Sequence, residues 1–275
     1  MGVFLRIGRK DEGFTLIELL VVVALIAILA AILFPALLSA RDRAKLARCM
    51  VHLRECGHAC ILYCDDNDSR FPVPRITFLD GRIRPDRWWP EGQCVGGQIG
   101  TLETGEQYSP PQFRPLNRYI RSIELFRCPS EKRQSCAGMY NTFPWIRFGS
   151  SYNMSVTFHY PTRNDFFYTL VEPTGSSVLE HMYRGRKLSA LRKPRRMILM
   201  GERPIHYWYG VSKAAANPVP LDSQPFLGHN GDKPWTPVVF CDGHVDYILM
   251  TPGLNGPKWA LAERGWAPAA MNEGD

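Results

Sequence analysis

The first part of the chain is dominated by one long apolar run. Residues 14–38 read FTLIELLVVVALIAILAAILFPALL, in which Glu18 is the single charged side chain. A helix rises about 1.5 Å per residue, so about 20 such residues cross a hydrocarbon core of about 30 Å. The run is longer than the apolar region of an ordinary secretory signal, which has about 7–15 residues. We therefore predict a transmembrane helix over residues 14–38, preceded by a polar leader peptide over residues 1–13.

Beyond the apolar run, hydrophobic positions recur at spacings of three and four. They comprise Leu46, Cys49, Met50, Leu53, Cys56, Cys60, Ile61 and Cys64. This spacing places them on one face of a helix. The Asp and Asn residues at 65–68, followed by Phe71-Pro72, favour a turn over further helix. We predict that the helix continues through residues 39–68 as an amphipathic segment and totals about 50 residues.

The remaining chain, residues 69–275, reads as short strands joined by long loops. Residues 238–241 and 244–249 are strand-like and flank Asp242-Gly243, for which we predict a two-residue type I′ hairpin turn. The sequence shows neither a repeat nor an alternating strand–helix pattern. The predicted fold class is α+β. We expect a lollipop in which the amphipathic half of the helix packs on a globular head with a small antiparallel sheet and a tail hairpin.

The net charge of +7 changes this picture little. Basic residues are interspersed with Asp and Glu, apart from local clusters at 41–48 and 184–196. Nucleic-acid binding calls for a basic patch concentrated on one face. We therefore predict a solvated surface with a basic cluster flanking the membrane, and no nucleic-acid partner.

The chain has eight cysteines, which could be buried, form disulfides or bind a metal. They stand at positions 49, 56, 60, 64, 94, 128, 136 and 241. Four lie on the helix stripe, where cysteine is suited to a small buried hydrophobic position. Cys128 and Cys136 bracket a short polar loop and are the predicted disulfide pair, if any forms. Because the chain has no CxxC pair and the acidic run at 65–68 lacks an EF-hand pattern, we predict no metal site and no cofactor.

Glu18 needs an explanation, because a carboxylate inside a membrane segment costs about 2.5–3.5 kcal/mol. Cleavage after Gly13 would create an amino group on Phe14, one helical turn away. Glu18 could then neutralise that amine or the amine of a neighbouring copy. The alternatives are that Glu18 reaches the lipid headgroups from the start of the helix, and that signal peptidase cuts instead after Ala40.

The sequence GFTLIE at residues 13–18 resembles the prepilin cleavage and methylation signature of the type IV pilin-like and type II secretion pseudopilin family. The resemblance implies that a prepilin peptidase cuts between Gly13 and Phe14 and methylates the amine of Phe14. It also implies that Glu18 serves filament assembly. Basic residues follow the apolar run as closely as they precede it, so a cytoplasmic N-terminus and an outward head rest on the resemblance.

Later stretches resemble bacterial pseudopilin-like proteins with an H-x9-DG tail motif, the DUF1559 type. Residues 128–131, CPSE, are similar to a CPSD element of that group, and His229 and Asp242-Gly243 match the two ends of the tail motif. Here twelve residues separate His229 from Asp242, more than the nine of the motif. We predict a structural role, in which Asp242-Gly243 forms the turn and His229 hydrogen-bonds across to it.

The resemblance implies a structural subunit of a type II secretion or type IV pilus-like filament. Its partners would be prepilin peptidase, other pilin-like subunits and the inner membrane. The alternative is a membrane-tethered extracytoplasmic binding protein with sugar-stacking tryptophans, for which the candidates are Trp88, Trp89, Trp145, Trp208 and Trp235. No nucleophile elbow, Walker or HExxH pattern occurs, so we predict no enzymatic activity.

Overall fold

The structure, a computed structural model, describes residues 14–73, 77–82, 94–101, 105–131, 134–135, 141–154, 171–173, 183–191, 194–202, 229 and 235–249. By its internal contacts the chain divides into two compact units, Met1–Ala44 and Lys45–Asp275. The first unit contains the apolar part of one long helix. The second contains the rest of that helix and the β-sheets.

Helix α1 runs from Leu16 to Asp66 and has 51 residues, which confirms the predicted long N-terminal helix. It continues through Pro35, whose ring removes one backbone donor from the helix interior. The most apolar stretch of α1 is entirely exposed. By length and composition, α1 is the one helix of the described ranges that could cross a membrane.

From Lys45 onward, one face of α1 is buried. Its buried residues are Cys49, His52, Leu53, Cys56, Gly57, Ala59, Cys60 and Cys64. The predicted stripe is thus present, with Leu46, Met50 and Ile61 partly exposed at its edge. His52 lies off the predicted stripe but is also buried. Its Nδ1 is 2.9 Å from the carbonyl oxygen of Arg127, so the buried ring has a hydrogen-bond partner. The helix ends where Asp68 and Ser69 adopt positive φ and the Ser69 N–H donates to the Cys64 carbonyl.

Short strands form most of the regular structure outside α1. In chain order they are β1 (Gly100–Thr101), β2 (Gln107–Tyr108), β3 (Gln134–Ser135), β4 (Asn141–Thr142), β5 (Tyr152–Met154), β6 (Val171–Pro173), β7 (Tyr183–Gly185), β8 (Ile198–Glu202), β9 (Trp235–Phe240) and β10 (Val245–Leu249). A second helix, α2, spans Pro144–Phe148, and short 3-10 helices lie at 111–113, 115–119, 123–126, 188–190 and 194–196.

The main sheet has four antiparallel strands in the order β10-β9-β8-β5. The remaining described strands pair as the two-stranded antiparallel sheets β1-β2, β3-β4 and β6-β7. A register shift between Ile198 and Met200 interrupts the pairing of β8 with β9. One long helix with small antiparallel sheets confirms the predicted α+β fold class.

The buried face of α1 packs on the main sheet, and the two approach closely at Gly57. A Cβ placed on Gly57 would lie 2.6 Å from Cγ2 of Val239 in β9. Val239 is fully buried and belongs to the same core cluster as Leu53 and Cys60. The absence of a side chain at Gly57 therefore allows the helix and the sheet to pack together.

We expect Gly57→Ala to destabilise the head by about 1–3 kcal/mol, because the added methyl overpacks the core. At an exposed helix position the same change would stabilise by about 1 kcal/mol through helix propensity. Denaturant unfolding of the full chain in detergent, followed by tryptophan fluorescence, measures the difference. In the double variant Gly57→Ala/Val239→Ala, the loss in free energy of unfolding should be smaller than the sum of the losses in the two single variants. The reason is that the second change removes the clashing methyl. A stabilised Gly57→Ala chain would contradict the close approach.

The tail hairpin forms between β9 and β10, with Val239 opposite Val245. Its turn differs from the predicted type I′. Gly243 has φ of +87°, whereas Asp242 is not among the residues with positive φ. The Gly243 N–H donates to the Phe240 carbonyl, and the Phe240 N–H donates to the His244 carbonyl. These bonds define a three-residue loop, in which a type I turn is followed by a left-handed glycine.

Candidate functional site

The start of α1 is held by reciprocal hydrogen bonds between Thr15 and Glu18. The backbone N–H and the hydroxyl of Thr15 donate to Oε2 of Glu18, at 2.9 and 2.7 Å. The Glu18 N–H donates to Oγ1 of Thr15 at 3.3 Å. This is a capping box, which satisfies backbone donors at a helix N-terminus. Glu18 thus has a local partner that the sequence interpretation did not consider, although the spacing Thr-x-x-Glu signals it.

The residues around the predicted cleavage point are only partly described. Phe14 directly precedes the capping box and is 73% exposed. Gly13 and the leader lie outside the described residues, so cleavage and methylation stay predictions. What the structure adds is that regular helix begins two residues after the predicted cut, at Leu16.

A second candidate site lies inside the head, where four segments meet. Cys49 comes from α1, and Cys128 follows the 3-10 helix at 123–126. Glu202 is the last residue of β8, and His229 precedes β9 in the chain. Cys49, Cys128 and Glu202 are buried, and the His229 side chain is 1% exposed. We call these four residues the buried polar cluster.

The side chains of the buried polar cluster contact one another directly. Sγ of Cys49 is 3.6 Å from Sγ of Cys128 and 3.3 Å from Oε1 of Glu202. Nε2 of His229 is 2.9 Å from Oε1 of Glu202 and 3.4 Å from Sγ of Cys128. All four donor atoms lie within 4.8 Å of one another. Thiols, imidazole and carboxylate are side chains that could hold a metal ion.

Two further groups form hydrogen bonds with the sulfur atoms. The hydroxyl of Tyr152, in β5, is 3.0 Å from Sγ of Cys49, and Tyr152 is fully buried. Tyr152 reaches this point because it pairs across the sheet with Glu202. The Ser130 N–H donates to Sγ of Cys128 at 3.3 Å. Both sulfur atoms therefore have a hydrogen-bond partner outside the buried polar cluster.

Burial and mutual contacts determine the charges in the cluster. Burial raises the pKa of the Cys49 thiol to about 11. The hydrogen bond with Cys49, followed by burial, raises the pKa of Cys128. Burial lowers the pKa of His229, but its hydrogen bonds with Cys128 and then Glu202 outweigh burial and raise that pKa to about 10. Burial raises the pKa of Glu202, but its pairing with His229 outweighs burial and lowers that pKa. At neutral pH the cluster is thus a charged His–Glu pair beside two protonated thiols.

The environment of His229 differs from the sequence interpretation. Among the described residues, its hydrogen bonds go to Cys128 and Glu202, not to the turn at Asp242. Asp242 instead bonds His244, through both the ring Nδ1 and the backbone N–H. His244 is only two residues beyond Asp242 in the chain, so the two side chains are close together. Asp242 and Gly243 lie in the three-residue loop between β9 and β10, whereas the His229 side chain is 1% exposed and faces Glu202.

The disulfide between Cys128 and Cys136 stays a prediction, because Cys136 lies outside the described residues. Cys128 is a free thiol whose sulfur faces Cys49. The neighbouring residues of the CPSE stretch are structural. Oε1 of Glu131 accepts hydrogen bonds from the Trp145 N–H and the Ser151 hydroxyl, both at 2.7 Å. Sequence reasoning missed the grouping of Cys128 with Glu202, because no local spacing signals it.

The tryptophans suggested for sugar stacking do not assemble a surface in the described part of the chain. Trp145 is 5% exposed and packs in the core. Trp235 is half-buried and stacks on Tyr247, with ring centroids 5.2 Å apart. Trp88, Trp89 and Trp208 lie outside the described residues. The two tryptophans that can be assessed therefore serve packing.

Comparison with known proteins agrees with the features at the start of the chain. Residues 8–34 match the family model for the prokaryotic N-terminal methylation motif. The type II secretion system core protein G of Pseudomonas aeruginosa is 39% identical over 118 residues, which are 40% of this chain and 82% of that protein. The chain belongs to the family of type IV pilin-like proteins and type II secretion pseudopilins.

A second relative is the type IV wide pilus major component PilA4 of Thermus thermophilus. It is 49% identical over 61 residues, 22% of this chain. The match spans 47% of PilA4, so the chain covers about half the length of that relative. No solved structure matches. Both relatives are named as components of a pilus or a secretion system, and α1 of this chain is long and apolar enough to cross a membrane.

Proposed function

We propose that this chain is a subunit of a type II secretion or type IV pilus-like filament, made as a precursor that prepilin peptidase cuts between Gly13 and Phe14. The observation that carries the proposal is the start of α1. The methylation motif at residues 8–34 contains the Thr15–Glu18 capping box and overlaps the exposed apolar stretch of α1. Together they provide a cleavage point, a fixed helix start and an apolar surface that needs a partner.

The exposed surface of α1 supports both a membrane and a filament stage. Large apolar side chains of the first unit are about half to more than four-fifths exposed, including Leu16 at 86% and Ile32 at 70%. Burying such surface stabilises by about 25 cal/mol per Å². Before assembly, lipid would cover these side chains. In a filament, the equivalent helices of other subunits would replace the lipid.

Glu18 has two compatible roles in this proposal. In the precursor, its Oε2 caps the helix through Thr15. After cleavage, the Phe14 amine lies within reach of the same carboxylate or of the carboxylate of a neighbouring subunit. A carboxylate accepts several hydrogen bonds on its two oxygens, so capping does not exhaust it. The charge then serves assembly, while the hydrogen bonds serve helix initiation.

The same proposal sets the topology and the partners. The leader remains in the cytoplasm, where it meets the peptidase, and α1 crosses the inner membrane once. The chain from about residue 39 onward, including the head, lies outside the cytoplasm. Other pilin-like subunits are the assembly partners.

Mass spectrometry of the chain purified from membranes tests the proposal. We expect a mature species that begins at Phe14 and carries one added methyl group on its amine. A chain retaining the leader in a host with an active prepilin peptidase would contradict the proposal. So would a chain beginning after Ala40, because signal peptidase would then have removed the anchor.

A further inference from the structure

We propose that the buried polar cluster, Cys49, Cys128, Glu202 and His229, is a zinc site that ties α1 to the main sheet. The sequence gives no zinc motif, since the four residues are widely separated along the chain. Only the fold brings two thiols, a carboxylate and an imidazole to one point. This site is independent of the processing and assembly of the N-terminal segment.

Four of the six distances between donor atoms are close to those of tetrahedral coordination, and all six are within 4.8 Å. With Zn–S of about 2.3 Å and Zn–N or Zn–O of about 2.0–2.2 Å, neighbouring ligands stand about 3.8 Å (S to S), 3.6 Å (S to N or O) and 3.4 Å (N to O) apart. The corresponding distances here are 3.6 Å between the sulfurs, 3.4 and 3.3 Å from sulfur to His229 and Glu202, and 2.9 Å between those two. Each is within about 0.5 Å of the tetrahedral value.

The ligand types favour zinc among the divalent metals. Sulfur together with imidazole in a tetrahedral arrangement suits zinc, whereas calcium and magnesium prefer oxygen ligands. Binding would displace the two thiol protons and the additional proton on His229, so that two thiolates, a carboxylate and a neutral imidazole hold the ion. One ion would then contact all four side chains of the buried polar cluster.

The surroundings of the sulfur atoms support this assignment. Thiolates that bind a metal are stabilised by hydrogen-bond donors outside the coordination shell. The Tyr152 hydroxyl lies 3.0 Å from Sγ of Cys49, where it can donate to a thiolate, and the Ser130 N–H donates to Sγ of Cys128 at 3.3 Å. Zinc bound here would link the middle of α1, the segment after the 3-10 helix, the end of β8 and the segment before β9. A structural role in closing the head follows from that placement.

The full chain in detergent, reduced and stripped with a chelator, is titrated with Zn²⁺ and with Co²⁺ alone. We expect stoichiometric zinc by elemental analysis, a higher Tm on reloading, and tetrahedral cobalt bands with thiolate-to-cobalt charge transfer. Cys49→Ser and Cys128→Ser should lose the bound zinc. The matched control is Cys60→Ser, because Cys60 is an equally buried thiol on α1 outside the cluster. It should keep stoichiometric zinc.

Tyr152→Phe keeps the ring in the core and removes only the hydroxyl, so it tests the site even if the cysteine variants fail to fold. We expect zinc to bind roughly 10–100-fold more weakly to this variant. Absence of stoichiometric zinc in the reloaded wild type would overturn the proposal. So would cobalt bands without thiolate charge transfer, or loss of zinc in Cys60→Ser but not in Cys128→Ser. A native disulfide joining Cys128 to Cys49 or to Cys136, found by mass spectrometry of the chain isolated without reductant, would overturn it as well.

Discussion

Gly13→Val is expected to leave nearly all of the chain at precursor length, because the branched side chain displaces the bond that the peptidase must cut. A misplacement of about 1 Å at a reacting bond costs about a hundredfold in rate. Processing should therefore fall from near completion to trace levels. Immunoblotting of membrane fractions separates the precursor from the mature chain, and mass spectrometry identifies each N-terminus.

Two variants provide controls for this result. Gly13→Ala keeps a small residue before the cut and should be processed. Gly8→Val introduces the same branched side chain elsewhere in the leader and should also be processed. If Gly13→Val is trimmed to Phe14 as efficiently as the wild type, a prepilin peptidase is not the enzyme that removes the leader.

Glu18→Gln is expected to insert in the membrane normally and to reduce filament incorporation at least about tenfold. Glutamine can replace glutamate in a capping box, so the hydrogen bonds with Thr15 can persist. The negative charge, however, is lost. Two opposite charges about 4 Å apart interact by about 4 kcal/mol at an effective dielectric of 20, and a loss of only about 1.4 kcal/mol is already tenfold. Co-assembly of tagged wild-type and variant chains measures incorporation.

Comparison with Glu18→Val separates charge from capping. Glu18→Val removes both the charge and the capping hydrogen bonds. If charge pairing dominates, the Glu18→Val chain should enter filaments no more efficiently than the Glu18→Gln chain. The matched control is Glu55→Gln, an exposed carboxylate farther along α1, which should incorporate as the wild type does. If Glu18→Gln assembles normally while Glu18→Val does not, capping rather than amine pairing explains the need for Glu18.

The long helix and the tail hairpin can be predicted from the sequence, whereas the geometry of the hairpin turn cannot. Helix α1 was predicted nearly to its end, because helical neighbours are three and four residues apart and their pattern is visible in a short window. The antiparallel hairpin at the tail could also be predicted, because its two strands and the turn between them are close together in the sequence. The geometry of that turn could not be predicted, since Asp-Gly suits both a type I′ turn and a type I turn followed by a left-handed glycine. The hydrogen bonds of Phe240 with Gly243 and His244 decide between them.

The sequence by itself therefore determined the apolar segment, the methylation motif, the long helix and the α+β class, all of which depend on contacts or patterns within a few residues. Only the tertiary structure decided that His229 turns toward Glu202 rather than toward the Asp242 turn, and that Cys128 meets Cys49. The physical reason is that these contacts close long loops. Their partners are chosen by how α1, through the close approach at Gly57, packs on β9 and its neighbouring strands, and no local spacing encodes that choice.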